Sequence, residues 1–156
     1  MENTLVILKP DAVQRRLIGK IISRFEEKGL QIVGMKLMRI SEALARKNYG
    51  IHEGKDFYKP LIKFMTSGPV VAVVVRGKVA VGIVRKMLGA TFGCTADPGT
   101  IRGDFGVSNR FNLVHGSDSP ESAEREIALF FTKDELVNYE PTDLSWVYDL
   151  SGKEPV

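Results

Sequence analysis

Val70-Val71-Ala72-Val73-Val74-Val75 limits what this chain can become more than any other segment. β-Branched side chains are stiff at χ1 and suit a pleated surface better than a helix. An apolar run without polar alternation fits a strand covered on both faces, at the middle of its sheet. The rest of the chain must then supply neighbouring strands and two covering layers.

The flanking segments supply them. Thr4 to Leu8 reads as a buried strand ending at Lys9-Pro10-Asp11, and Leu30 to Ile40 as another, with Val33, Met35 and Leu37 alternating with Gly34 and Lys36. Helices fit from Ile18 to Lys28, where Gly29 stops the chain, from Ser41 to Tyr49, around Phe57 to Met65, and from Val79 to Leu88. Gly89 to Phe111 is rich in glycine and lacks periodicity, and so reads as one long loop of the kind that is usually functional. Asn112 to His115 reads as a short last strand. Ser119-Pro120-Glu121 then opens a helix with a capping serine, proline at the first helical position and an acid in the first turn. This order predicts a ferredoxin-like α/β sandwich, a four-stranded antiparallel sheet covered by helices, with residues 1–156 as a single domain.

Composition narrows the classes. The chain has 156 residues, 44% of them hydrophobic, and no stretch approaches the roughly 20 apolar residues of a transmembrane helix, so a membrane role is not expected. Its single cysteine, Cys94, cannot form an internal disulfide and the N-terminus lacks a secretory pattern, so the cytoplasm is the expected location. A net charge of +3 mildly favours an anionic ligand, and serves solubility equally well. No Walker loop, dinucleotide-binding glycine fingerprint, G-x-S-x-G elbow or zinc-ligand set is present, so phosphate would have to be held by scattered cations and loop backbone.

The informative stretch is Asn112-Leu113-Val114-His115-Gly116-Ser117-Asp118-Ser119. A histidine at a strand end, followed by glycine, stands where the backbone is expected to turn and a ligand to approach closely. Free imidazole titrates near ~6.5, so much of it is neutral and nucleophilic at neutral pH. A hydrogen-bonded structural histidine is the alternative, and a serine hydrolase built on Ser117 is a weaker one, because no oxyanion loop is evident. Lys9, Arg85, Thr91 and Arg102 could surround a polyphosphate, or each could be a solvated surface group.

Asn112 to Asp118 resembles the N-x-x-H-G-S-D active-site signature of the nucleoside diphosphate kinases. Thr4 to Val13, Met65 to Val71, Pro98 to Gly106 and Ser119 to Ile127 resemble further blocks of that family in its order and spacing, so the likeness covers nearly the whole chain. The resemblance implies a ping-pong cycle in which His115 is phosphorylated. It further implies that Ser117 and Glu126 orient its ring, that Tyr49 lies near the reacting phosphate, and that Lys9 and Asn112 contact the ribose hydroxyls and the terminal phosphate. By the same likeness Arg85, Thr91 and Arg102 grip the phosphates, Phe57 stacks on the base, and His52 touches the phosphates. The implied cofactor is Mg²⁺ held mainly by the nucleotide, the implied ligands are nucleoside di- and triphosphates, and the implied assembly is a homohexamer or homotetramer. Two departures stand out: Asn109 replaces the small apolar residue that faces Phe57 across the base, and Gly93 stands where many relatives carry proline.

These residue types suit phosphoryl transfer. Its transition state spreads charge over three equatorial oxygens, which positioned cations stabilise. A neutral imidazole attacks well and also leaves readily, unlike a serine phosphate. Stacking on Phe57 accepts any base, which predicts broad base specificity. An RNA-binding module is the competing class, since Arg102-Gly103-Asp104-Phe105-Gly106-Val107 superficially resembles an RNA-recognition strand motif; Asp104 at an aromatic position speaks against it, so nucleic acid is not expected as a primary ligand.

Overall fold

The computed structural model describes residues 1–152 and 156. Its strands are β1 (Glu2–Leu8), β2 (Gln31–Arg39), β3 (Pro69–Gly77) and β4 (Val114–Gly116), in the spatial order β2-β3-β1-β4 with every neighbour antiparallel. The helices are α1 (Pro10–Gln14), α2 (Ile18–Glu27), α3 (Glu42–Tyr49), α4 (Tyr58–Met65), α5 (Ala80–Leu88), α6 (Ile101–Phe105), α7 (Pro120–Phe130) and α8 (Leu144–Val147). This is the expected ferredoxin-like arrangement, with the valine run inside β3 and β3 between two partners.

Alternation along the strands sends one set of side chains to each face. Val6, Leu8, Val71, Val73 and Val75 pack with Ile21 and Phe25 of α2 and Val84 and Leu88 of α5. Leu5, Ile7, Val70, Ala72 and Val74 pack with Ala45 and Tyr49 of α3, Tyr58 and Ile62 of α4, and Phe130 of α7. Both faces of the sheet are therefore covered. The RNA-recognition reading needs an exposed sheet face, and the segment that suggested it lies in α6 rather than in a strand.

Local chemistry explains the boundaries. Ser41 caps α3 by accepting from the Leu44 amide, and Ser119 caps α7 by accepting from the Ser122 amide. Gly29 ends α2 with φ of +82°, and the Leu30 amide reaches back to the Phe25 carbonyl, as in a Schellman turn.

Two expectations need correction, and α1 was not anticipated: Pro10 at the first helical position starts that short helix directly after β1. Gly89 to Phe111 is not one irregular loop, because Thr100 caps α6 within it by accepting from the Gly103 amide, and Gly93–Thr95 forms a 3₁₀ turn. Gly93 is closely packed, since a Cβ there would lie 2.4 Å from the Gly106 carbonyl oxygen. The last strand starts at Val114 rather than Asn112, because Leu113 has φ of +69° and breaks the extended path. The C-terminal segment does fold back on the domain: Tyr139 donates to the Ile32 carbonyl and the Tyr148 hydroxyl accepts from the Lys78 amide, though Trp146 is 91% exposed.

Candidate active site

β4 lies at the edge of the sheet with His115 opposite Ile7 of β1. That register turns the imidazole toward the face covered by α3 and α7. Glu126 of α7 meets it there, with Oε2 3.0 Å from His115 Nε2. Ser117 donates to the same Oε2 at 2.7 Å, while the Leu5 amide donates to the Ser117 hydroxyl at 3.4 Å. Tyr49 from α3 stands edge-on to the imidazole with ring centroids 5.6 Å apart. The histidine side chain keeps 20% of its surface exposed against 6% for Glu126, so the ring reaches the surface while its anchor is buried.

Burial alone would raise the Glu126 pKa, but hydrogen bonding and charge from His115, the Ser117 hydroxyl and the Arg125 charge outweigh it and hold the carboxyl below its ordinary value. An ionised carboxylate can only accept, so Nε2 carries the proton and Nδ1 the lone pair. Among the described residues no hydrogen bond engages Nδ1. Burial, with the Glu126 charge, raises Tyr49, which stays a neutral phenol. Ser117 is fully buried and committed to Glu126, which removes it as a nucleophile.

Gly116 does not make the turn expected of it. It lies within β4, where a Cβ would stand 2.7 Å from Leu88 Cδ1, so the glycine admits α5 against the strand. The sharp turn is three residues earlier, at Leu113. There the Val114 amide donates to the Asn112 carbonyl at 2.8 Å across a residue with positive φ, the rare and strained form of γ-turn. A bulky residue in that region costs roughly 1–2 kcal/mol. The Lys9 amide donates to the Leu113 carbonyl at 2.8 Å, and Asp11 Oδ2 accepts from the Leu113 amide at 3.0 Å.

Cations gather at Asn112, three residues before His115. Lys9, just beyond β1, donates from Nζ to Asn112 Oδ1 at 2.6 Å, and Asn112 Nδ2 donates to the Thr91 carbonyl at 2.9 Å. Arg102 sits in α6 rather than in a free loop and is 5% exposed. Its guanidinium donates to the carbonyls of Asn112, Gly89, Ala90 and Val114, so it ties the segment after α5 to the segment before β4. One Nη2 hydrogen remains uncommitted. Burial, with the nearby Arg85 charge, lowers Arg102 to about 10, and burial, with the Arg102 charge, lowers Lys9 to about 8 despite the opposing pull of Asp11.

The remaining expected residues belong to the same neighbourhood. Asp118 is held ionised, first by its bond with Ser122 and further by the charges of Arg85 and His115, which brings Arg85 within electrostatic reach of the histidine. His52 is pushed down by burial and by the Lys55 and His115 charges. Its ring lies 5.3 Å from that of the half-exposed Phe57, over which Lys55 also sits at 5.7 Å. The sequence reading missed Asp11 and Lys55; Asp11 had a signal in its place two residues after Lys9, and Lys55 had one in its place between His52 and Phe57. Asn109 accepts from the Cys94 thiol at 3.0 Å.

A family profile described as "Nucleoside diphosphate kinase" matches residues 2–136. The chain belongs to the nucleoside diphosphate kinase family. The nucleoside diphosphate kinase of Carboxydothermus hydrogenoformans is 55% identical over 149 residues, 96% of this chain and 100% of that protein. That of Archaeoglobus fulgidus is 54% identical, across 96% of this chain and 99% of its own. Among solved structures, a halophilic nucleoside diphosphate kinase from Halobacterium salinarum in complex with CDP superposes with a TM-score of 0.93 at 52% identity, covering 95% of this chain and 99% of that one. Nucleoside diphosphate kinases are phosphotransferases, so the fold and the enzyme class expected from the sequence both stand, and the RNA-binding alternative does not.

The Lys9 environment yields a testable pH dependence. A lysine lowered to about 8 is charged below that pH and discharges as pH rises through it, and a bound anion raises it again. Affinity for ADP, measured by calorimetry, is expected to be flat at neutral pH, to weaken as pH rises past 8, and to lose that step in Lys9→Met. An affinity that stays level up to pH 10 contradicts this assignment.

Proposed function

We propose that His115 carries the phosphoryl group in a ping-pong transfer from a nucleoside triphosphate, chiefly ATP, to a nucleoside diphosphate. The observation that carries this reading is the buried Glu126 carboxylate on Nε2, which leaves the Nδ1 lone pair for chemistry. In the first half-reaction Nδ1 forms a bond to the γ-phosphorus as the bond from that phosphorus to the β,γ-bridging oxygen breaks, its electron pair leaving with the diphosphate. The imidazolium so formed keeps its Nε2 proton on Glu126, which offsets the new positive charge. In the second half-reaction a terminal oxygen of the acceptor diphosphate attacks the phosphorus, and the N–P electrons return to Nδ1.

Lys9, Arg85 and Arg102 face the charge that develops on the transferring group, and loss of one such donor costs on the order of 3 kcal/mol, about 10²-fold in rate. Thr91 and His52 assist on the phosphates, Asn112 and Lys9 on the ribose hydroxyls, and Tyr49 stands beside the reacting phosphorus as a neutral phenol. Phe57, half-exposed on a turn, offers a π-face to any base, which supports broad specificity.

We read the required divalent cation as Mg²⁺, held mainly by the nucleotide's own phosphates. Among the described residues no group of three or more His, Cys, Asp or Glu could hold a metal, which fits an ion that arrives on the substrate. When bound, it neutralises charge on the β- and γ-oxygens. Residues 1–156 act as one domain, which we place in the cytoplasm; among the described residues no helix is long and apolar enough to cross a membrane, and Cys94 is free. We also infer a homohexamer or homotetramer, supported by the edge strand β2, on which Met35 and Leu37 are 55% and 65% exposed.

Two measurements test this. With γ-labelled ATP the protein should take up an acid-labile, base-stable label that GDP removes as GTP; His115→Ala should stay folded and unlabelled, and turnover surviving in that variant overturns the assignment. Light scattering should give the mass of a tetramer or hexamer, and a monomer at micromolar concentration refutes the assembly.

A further inference from the structure

The strained turn that feeds His115 into the sheet is held by a side chain that none of the steps above uses. Asp11 lies in the first turn of α1, with Pro10 at the first helical position. Its Oδ2 takes the Leu113 amide across 102 positions of sequence, and among the described residues its buried Oδ1 has no hydrogen-bond partner. Leu113 is thereby gripped from both sides, its amide by Asp11 and its carbonyl by the Lys9 amide. Immediately before it, Asn112 bridges the Lys9 ammonium and the Thr91 carbonyl; two residues after it stands His115. A rotation of the Leu113 peptide would move both.

We propose that Asp11 is a positioning residue for the transfer, its carboxylate fixing the left-handed Leu113 turn and so the placement of Asn112 and His115. The proposal rests on the phosphohistidine reading and adds to it a residue that touches no substrate. The carboxylate has a second effect through charge. Lys9 faces the Arg102 guanidinium from α6, Asp11 from α1 and the uncharged Asn112, and of the two charged groups Asp11 alone favours its protonation. Asp11 is itself raised by burial, against the Leu113 amide and the Lys9 charge. Asparagine at this position keeps an acceptor for the Leu113 amide and loses the charge, so the two effects separate.

The test compares Asp11→Ala and Asp11→Asn for the rate of His115 labelling at saturating ATP, over a range of pH, with thermal unfolding run alongside. Asp11→Ala should be slowed about tenfold or more, the scale expected when a reacting group is misplaced by a fraction of an ångström, with ATP affinity changed less. Asp11→Asn should label at close to the parent rate at neutral pH, with its alkaline limb moved to lower pH. An undiminished rate in Asp11→Ala overturns the proposal, as does an Asp11→Asn variant that is equally slow at neutral pH. Where Asp11→Ala fails to fold, the neutral-pH rate and alkaline limb of Asp11→Asn decide alone, and a limb that does not move sinks the assignment. A parent chain that takes no label refutes the phosphohistidine reading and this proposal together; a labelled parent with an equally fast Asp11→Ala refutes only the latter.

Discussion

A buried carboxylate shared by a histidine and a serine organises this active site. Burial works against an ionised Glu126, and donors must offset that cost. His115 Nε2 and the Ser117 hydroxyl supply them, and each is fixed in return. The fold makes the meeting possible. β4 hydrogen-bonds to β1 in a register that turns residue 115 toward the layer built by α3 and α7, and the Ser117 amide continues that pairing onto Leu5. The capping Ser119 starts α7 immediately afterwards, so Glu126 returns over the strand it serves.

Around Asn112 the protein holds positive charge that Asp11 only partly offsets. Lys9 and Arg102 are both buried and both depressed, by desolvation first and by a neighbouring cation second. Such an arrangement works against the folded state and is relieved when an anion arrives. The same cations also build the site. Arg102 spends most of its donors on backbone carbonyls either side of the Gly-rich segment, and Lys9 fixes Asn112 with its ammonium and Leu113 with its amide. In the proposed mechanism the side chains that would grip phosphate are thus the ones that also hold the backbone.

Much of the fold was legible in the sequence because it rests on local patterns. The valine run specified a central strand, Gly29 the end of α2, and the serines at 41 and 119 their helices. The parts that were not legible depend on distant contacts or on short segments. α1 and α6 are five residues each, too brief for periodicity to register, though Pro10 and the capping Thr100 marked their starts. The true beginning of β4 is set by a backbone angle at Leu113 that nothing in its own side chain announces. In the site, His115 and its signature stood out, whereas the convergence of Lys9, Arg85 and Arg102 came from family resemblance and not from their spacing. Asp11 went unnoticed because its partner is a backbone amide on the far side of the chain.

The claim on which all of this turns is the division of labour between the two ring nitrogens. Nitrogen-15 NMR of histidine-labelled protein, before and after phosphorylation, reads it directly. In the free enzyme the neutral imidazole of His115 should carry its proton on Nε2 and leave Nδ1 unprotonated, and the phosphoenzyme should show phosphorus coupled to Nδ1. A neutral ring with its proton on Nδ1, or phosphate on Nε2, contradicts the account.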